Sequence, residues 1–193
     1  MIRLNRPPCP NPRALANGDY KHPVNKNSLR ECSFDKCMYC ESKISHIDFA
    51  HVEHIKPKAT DKFPALAYVW ENLGYACPKC NNAKLNKYSE TTPYVDPYSE
   101  DPSRFIFATG SWLFAKNGSE RGELTIHDIQ LNRPELLEKR LNRLLELDKT
   151  IKACNRTTNT TLKANALLEL EKEGDIEKEY SMIAKAFLNS NNS

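Results

Sequence analysis

Two Cys-x-x-Cys pairs, Cys37/Cys40 and Cys77/Cys80, with 36 residues between them, constrain this chain more than any other feature. Each pair sets two sulfurs on one side of a tight turn. Two such turns supply the four thiolates of one tetrahedral zinc ion. A zinc held this way ties together segments far apart in sequence and stabilises a small domain with a thin core. A four-cysteine shell is closed, so it builds a frame and leaves no coordination position for chemistry. Cys9, Cys32 and Cys154 remain outside the pairs and read as buried or surface thiols. Seven cysteines is an odd count, and the opening stretch MIRLNRPPCPNPRALANG has no apolar core of the secretory kind. Both points argue against a disulfide framework and for metal binding in a reducing, cytoplasmic setting.

Hydrophobic residues make up 39% of the 193 and charged residues 27%, which excludes wholesale disorder. No apolar run is long enough for a membrane span. The net charge of +3 is unevenly placed. Residues 1–90 carry 14 Lys and Arg against 9 Asp and Glu, whereas residues 91–193 carry 14 against 16. The first half is therefore the half suited to a polyanion, although a scatter of solvated lysines gives the same surplus.

The punctuation of the chain predicts four segments. Residues 1–30, rich in Pro, Asn and basic side chains, read as an irregular arm. Residues 31–90 form a core holding every chemically suggestive residue, with a β-prone stretch at 47–55, a second short strand at 73–76 and a short helix at 80–88. Residues 91–131 read as a linker: a Pro-rich wrapping loop over 91–103, then short apolar runs at 105–107, 113–114 and 124–126 that suit a small sheet. Residues 132–193 read as a helical tail. Asn132 is the expected N-cap, with Pro134 in the first turn. Leu137, Leu141, Leu144, Leu145 and Ile151 mark one helical face, and Ile176, Tyr180, Ile183 and Phe187 mark a second helix that Gly174 weakens or kinks. Such stripes are core or partner-binding surface.

Between the cysteine pairs lies FAHVEHIKP, with His51, Glu53 and His54 close together, then WENL with Asn72. The second pair continues as CPKCNNAKLNK, with Asn81 and Lys84. This order resembles the HNH endonuclease family over residues 37–87. The resemblance implies an α+β fold: a ββα-metal HNH core between two zinc knuckles, followed by a helical C-terminal region. It also implies roles. His54 is the general base, having a pKa near neutrality. Glu53 and Asn81 hold a catalytic Mg²⁺ or Mn²⁺, a hard ion that prefers oxygen. Asn72 holds the loop that aims His54, and Lys84, one turn along the helix, is placed to meet a phosphate. His51 shares a strand face with Glu53 and is a second candidate ligand. The family usually has His where this chain has Asn81, which favours Mg²⁺ or Mn²⁺ over nitrogen-loving ions. Against these stand plainer roles: a surface salt bridge for Glu53, a helix cap for Asn81, a solvated lysine for Lys84 or Lys79.

The flanks, with LNRPELLEKR opening the tail, resemble the PtuB-type HNH nucleases of Septu anti-phage systems and of some retron systems. That resemblance implies a nucleic-acid substrate, DNA by default and RNA such as tRNA as the competitor. It also implies a PtuA-like ABC/SMC-type ATPase as partner, docked on the tail, and in a retron setting a reverse transcriptase with its RNA–DNA product. Two other readings fit the same cysteines: a non-catalytic zinc module that only binds nucleic acid, and an assembly subunit that holds the ATPase inactive.

Overall fold

The computed structural model describes residues 1–44 and 50–191. At its centre, strand β1 (His51–His54) pairs antiparallel with β2 (Leu73–Ala76), so that Glu53 faces Gly74 and His54 faces Leu73. Helix α3 (Pro78–Lys84) follows at once. This is the expected ββα order. The helix starts two residues earlier than predicted because Pro78 occupies its first turn, where its missing N–H costs nothing, and Cys77 Sγ caps the Cys80 N–H at 3.4 Å. It stops at Leu85, whose φ of 47° leaves the helical region. The β-prone stretch at 47–55 is a strand only over His51–His54; residues 47–49 lie outside the described ones.

The first cysteine turn docks directly on β2. Met38 N–H donates to the Tyr75 carbonyl at 2.9 Å. Gly74 is needed there, since a Cβ at that position would sit 2.3 Å from Met38 Sδ.

The flanks depart from the sequence reading in five places. Residues 1–30 are not an irregular arm: they carry α1 (Pro12–Ala16) and α2 (Pro23–Cys32). The prolines that suggest a loop instead open both helices, and Asn11 and His22 cap them by accepting from Ala14 N at 3.1 Å and Val24 N at 3.3 Å. Strands β3 (Ile106–Thr109) and β4 (Trp112–Ala115) form the expected hairpin, but Leu124–Ile126 lies in helix α4 (Glu120–Asp128). Ser119 caps that helix at Gly122 N, and Glu120 and Glu123 suit its first turn, which outweighs the β-prone run. Asn132 does not cap α5 (Pro134–Arg156), whose N-cap is Arg133 without a side-chain bond. Its amide instead clamps both backbone groups of Leu113, at 3.0 and 2.8 Å, and so pins the hairpin to the helix. Finally, α5 buries Leu136, Leu144 and Leu147 and leaves Leu141 and Leu145 about half exposed. The second predicted tail helix is two: α6 (Thr160–Glu171) and α7 (Ser181–Asn191), broken around Gly174, where Lys185 packs close; of the predicted stripe, Ile183 and Phe187 lie on α7 whereas Ile176 and Tyr180 fall in the break.

One hydrophobic cluster runs through all four segments, from Leu4, Leu15 and Leu29 through Tyr39, Trp70 and Leu73 to Ile183, Ala184 and Leu188. Glu41, beside the first cysteine turn, accepts from Ser181 Oγ at 2.7 Å and Met182 N at 3.3 Å. The tail is therefore packed into the same core as the cysteine turns. Among the described residues no helix is long and apolar enough to cross a membrane.

Candidate active site and cysteine centre

The two cysteine pairs converge as the spacing predicts. The sulfurs of Cys37, Cys40, Cys77 and Cys80 all lie within 4.8 Å of one another, with Cys40 and Cys77 at 3.9 Å, and all four residues are buried. Zn–S bonds of about 2.3 Å in a tetrahedron put sulfurs a little under 4 Å apart, so the cluster can hold zinc. Four thiolates around Zn²⁺ leave a net negative charge. Arg133 answers it, donating from Nη1 to Cys80 Sγ at 3.4 Å, and Ser42 Oγ lies 3.3 Å from Cys40 Sγ. Arg133 had no motif to announce it; the only hint was a basic residue just before Pro134.

On the other side of β1 and α3 lies a cleft of about 460 Å³, lined among others by His51, Glu53, His54 and Asn81. His54 Nε2 is 2.9 Å from the Ala67 carbonyl. A carbonyl only accepts, so Nε2 carries the proton and Nδ1 keeps its lone pair. Burial, reinforced by Lys58, Lys84 and Lys21, lowers the His54 pKa to about 4 against the pull of the Ala67 carbonyl. The imidazole is thus neutral at neutral pH with Nδ1 unprotonated, but it is a weaker base than the near-neutral pKa expected from the sequence, because burial and the lysines disfavour its charged form.

Asn72 controls that geometry from behind. It is buried; its Oδ1 accepts from Lys56 N at 2.7 Å, and its Nδ2 donates to Lys56 O at 2.9 Å and Leu66 O at 3.1 Å. These bonds tie the two ends of the loop between β1 and β2 together. The loop places the Ala67 carbonyl, and that carbonyl sets the tautomer of His54.

Glu53 is 3% exposed and its Oε1 accepts from Lys84 Nζ at 2.8 Å and from Tyr39 OH at 3.3 Å. Burial pushes its carboxyl pKa up, and Lys84 and Tyr39 pull it back toward the anion. Lys84 is thus not turned outward to a phosphate. It is 1% exposed and also donates to the His54 carbonyl at 2.8 Å. Its place on the buried side of a short helix explains the difference: with Glu53 in reach, an ion pair satisfies a lysine that the core would otherwise reject. Lys79 is exposed and pairs with Glu135 at 3.3 Å, outside the cleft.

Asn81 and His51 are brought together, the Asn81 amide donating to His51 Nδ1 at 2.7 Å. The Asn81 carbonyl oxygen is left for another ligand. Glu53 and Asn81 thus offer oxygen donors to one cleft, which suits a hard divalent ion completed by water and phosphate. Among the described residues, clustering of His, Cys, Asp and Glu ligand atoms occurs only at the four cysteines, so the cleft holds no comparable preformed cage.

These features meet in the HNH endonuclease family model, which matches residues 37–87. Residues 37–87 are an HNH domain. Beyond the HNH domain, the chain is similar to two curated relatives. It is 33% identical over 150 residues to the Septu protein PtuB of Bacillus thuringiensis, covering 71% of this chain and 57% of that protein. It is 28% identical over 190 residues to the Septu protein PtuB of Bacillus mycoides (strain KBAB4), covering 83% of this chain and 63% of that protein. The chain therefore spans about six-tenths of the length of these relatives. At 71–83% of this chain, the likeness extends well outside residues 37–87.

Proposed function

We propose that this chain is a metal-dependent endonuclease that hydrolyses phosphodiester bonds in nucleic acid, preferentially DNA, as the effector of a Septu-type anti-phage complex. The observation that carries the reading is the state of His54: neutral, its tautomer set by Ala67, with Nδ1 unprotonated in a cleft shared with Glu53 and Asn81. His54 takes the proton of the attacking water at Nδ1. Ala67 accepts from Nε2 throughout and steadies the imidazolium that results. Glu53 and Asn81 would hold Mg²⁺ or Mn²⁺, which would supply Lewis-acid stabilisation of the leaving oxygen. Asn72, Lys84 and Tyr39 position these groups without touching the reacting atoms. The four cysteines would hold zinc as frame.

Incubating the full chain with DNA and RNA and Mg²⁺ or Mn²⁺ tests this. Cutting by the wild type and none by His54→Ala is the expected result; identical behaviour on every substrate would remove His54 from catalysis.

The similarity to PtuB supports a PtuA-like ATPase of the ABC/SMC type as the partner that gates the cleft. Leu141 and Leu145, one turn apart on the outer side of α5, are the docking residues this reading favours. Deleting the whole tail would not test this, since α7 is part of the core. Leu141→Ser with Leu145→Ser should keep the fold and lose co-purification with the ATPase; retained co-purification would free α5 of that role.

A further inference from the structure

The residues named so far cut a strand but do not hold one, because Lys84 is turned inward and Lys79 lies outside the cleft. We propose that Tyr20, Lys21, Lys26 and Lys58 form a phosphate clamp that grips the sugar–phosphate backbone of a nucleic-acid strand across His54. This rests on the nuclease reading of the cleft.

All four residues line the same cleft as Glu53, His54 and Asn81. They reach it from two separate segments. Tyr20 and Lys21 stand between α1 and α2, and Lys26 lies on α2, all outside the HNH domain; Lys58 lies in the loop after β1. Tyr20 stands edge-on to the His54 ring, with centroids 4.7 Å apart, so this wall adjoins the imidazole. Lys58 Nζ donates to Tyr20 OH at 2.6 Å and lies 3.9 Å from its ring centre, while Lys21 Nζ lies 5.5 Å from the same ring. A lysine steadied by a phenol and its ring keeps its whole charge for a ligand, unlike one spent on a carboxylate.

The charge balance points to the ligand. Among the described residues Lys21, Lys26 and Lys58 make no ion pair. Among the described residues Glu53 is the single carboxylate in the lining, and Lys84 already answers it. Three uncommitted ammonium groups ringing a cleft suit a polymer with one negative charge per nucleotide. Lysines reaching phosphates give affinity without sequence preference.

The test uses the full-length, zinc-loaded protein with His54→Ala, which holds a strand without cutting it. Fluorescein-labelled 20-nucleotide single-stranded DNA, duplex DNA and single-stranded RNA are titrated by anisotropy across a salt series. Adding Lys21→Gln and Lys26→Gln should weaken binding equally on all sequences. The slope of log K against log salt should fall by about 1.4–1.8, at roughly 0.7–0.9 for each phosphate that is no longer neutralised. Lys21→Arg with Lys26→Arg should restore it, and Lys149→Gln with Lys152→Gln on the outside of α5 should leave it unchanged. The arms show whether DNA or RNA is the strand held. An unchanged slope for the Lys21/Lys26 pair, while wild type cuts and His54→Ala does not, would overturn the clamp and spare the nuclease reading. Wild type that neither cuts nor binds any probe would overturn both.

Discussion

Cys80 and Asn81 are neighbours on α3, yet they serve two sites of opposite character. Cys80 points into a cluster of four buried thiols that the protein closes on every side, with Arg133 balancing the charge. Asn81 points into a cleft where the protein offers a neutral imidazole, one carboxylate and an amide oxygen, and then lysines. The first site asks nothing of a substrate. On the proposed reading, the second is completed by water, metal and phosphate. A short helix can carry both because successive residues diverge by about 100° around its axis.

The strongest way to break this comparison is to remove a thiol. Cys77→Ser or Cys37→Ser should abolish stoichiometric zinc, read by elemental analysis, and with it the cooperative unfolding transition of the whole chain. Structural zinc in small domains contributes on the order of 10 kcal/mol of apparent free energy, and the cysteine turns share a core with the tail. Loss of zinc with an unchanged unfolding transition would show the cluster to be dispensable as a frame. His54→Ala should do the reverse: zinc content stays at one per chain while cleavage falls roughly 10²- to 10⁴-fold, the usual worth of a general base.

Lys84 sharpens the contrast between a residue that reacts and one that positions. Lys84→Met leaves Glu53 buried without its cation and should cost about 3–5 kcal/mol in chemical denaturation. Combining it with Glu53→Gln should recover much of that loss, because no buried charge is then unpaired. Cleavage should not recover in the double variant, since Glu53 is then unavailable to metal. A stability loss that does not shrink in the double variant would mean that Lys84 acts through packing alone.

These expectations also show what could be read from residues alone. The cysteine frame was legible because four like side chains at paired spacing have one economical use. The ββα order, and the placing of Glu53, His54 and Asn81 along one cleft with Asn72 behind it, were legible because they form a motif in linear order. Lys84 was misread because spacing along a helix gives its face relative to neighbours, not which face the core takes. Tyr20 was invisible for a different reason: it meets His54 only through tertiary packing of a segment whose prolines looked like loop signals. Leu141 and Leu145 stayed open between core and partner surface, since a leucine stripe wider than the buried face cannot say which of its edges the core covers.

The smallest change should act on one side of α3 only. Asn81→Ala removes an amide oxygen and releases His51, but touches no sulfur. Zinc content should stay the same and stability should move by no more than about 0.5 kcal/mol, as for most partly exposed positions. The Mg²⁺ concentration for half-maximal cleavage should rise on the order of 10–100-fold, the scale seen when groups around a metal are removed. Asn81→His supplies the family's more usual residue and should widen the metal preference, allowing nitrogen-loving ions such as Ni²⁺ to support cutting where the wild type prefers Mg²⁺ or Mn²⁺. If both variants keep the wild-type metal titration, Asn81 serves only to hold His51, and the ion in the cleft must rest on Glu53, water and the phosphate of the strand itself.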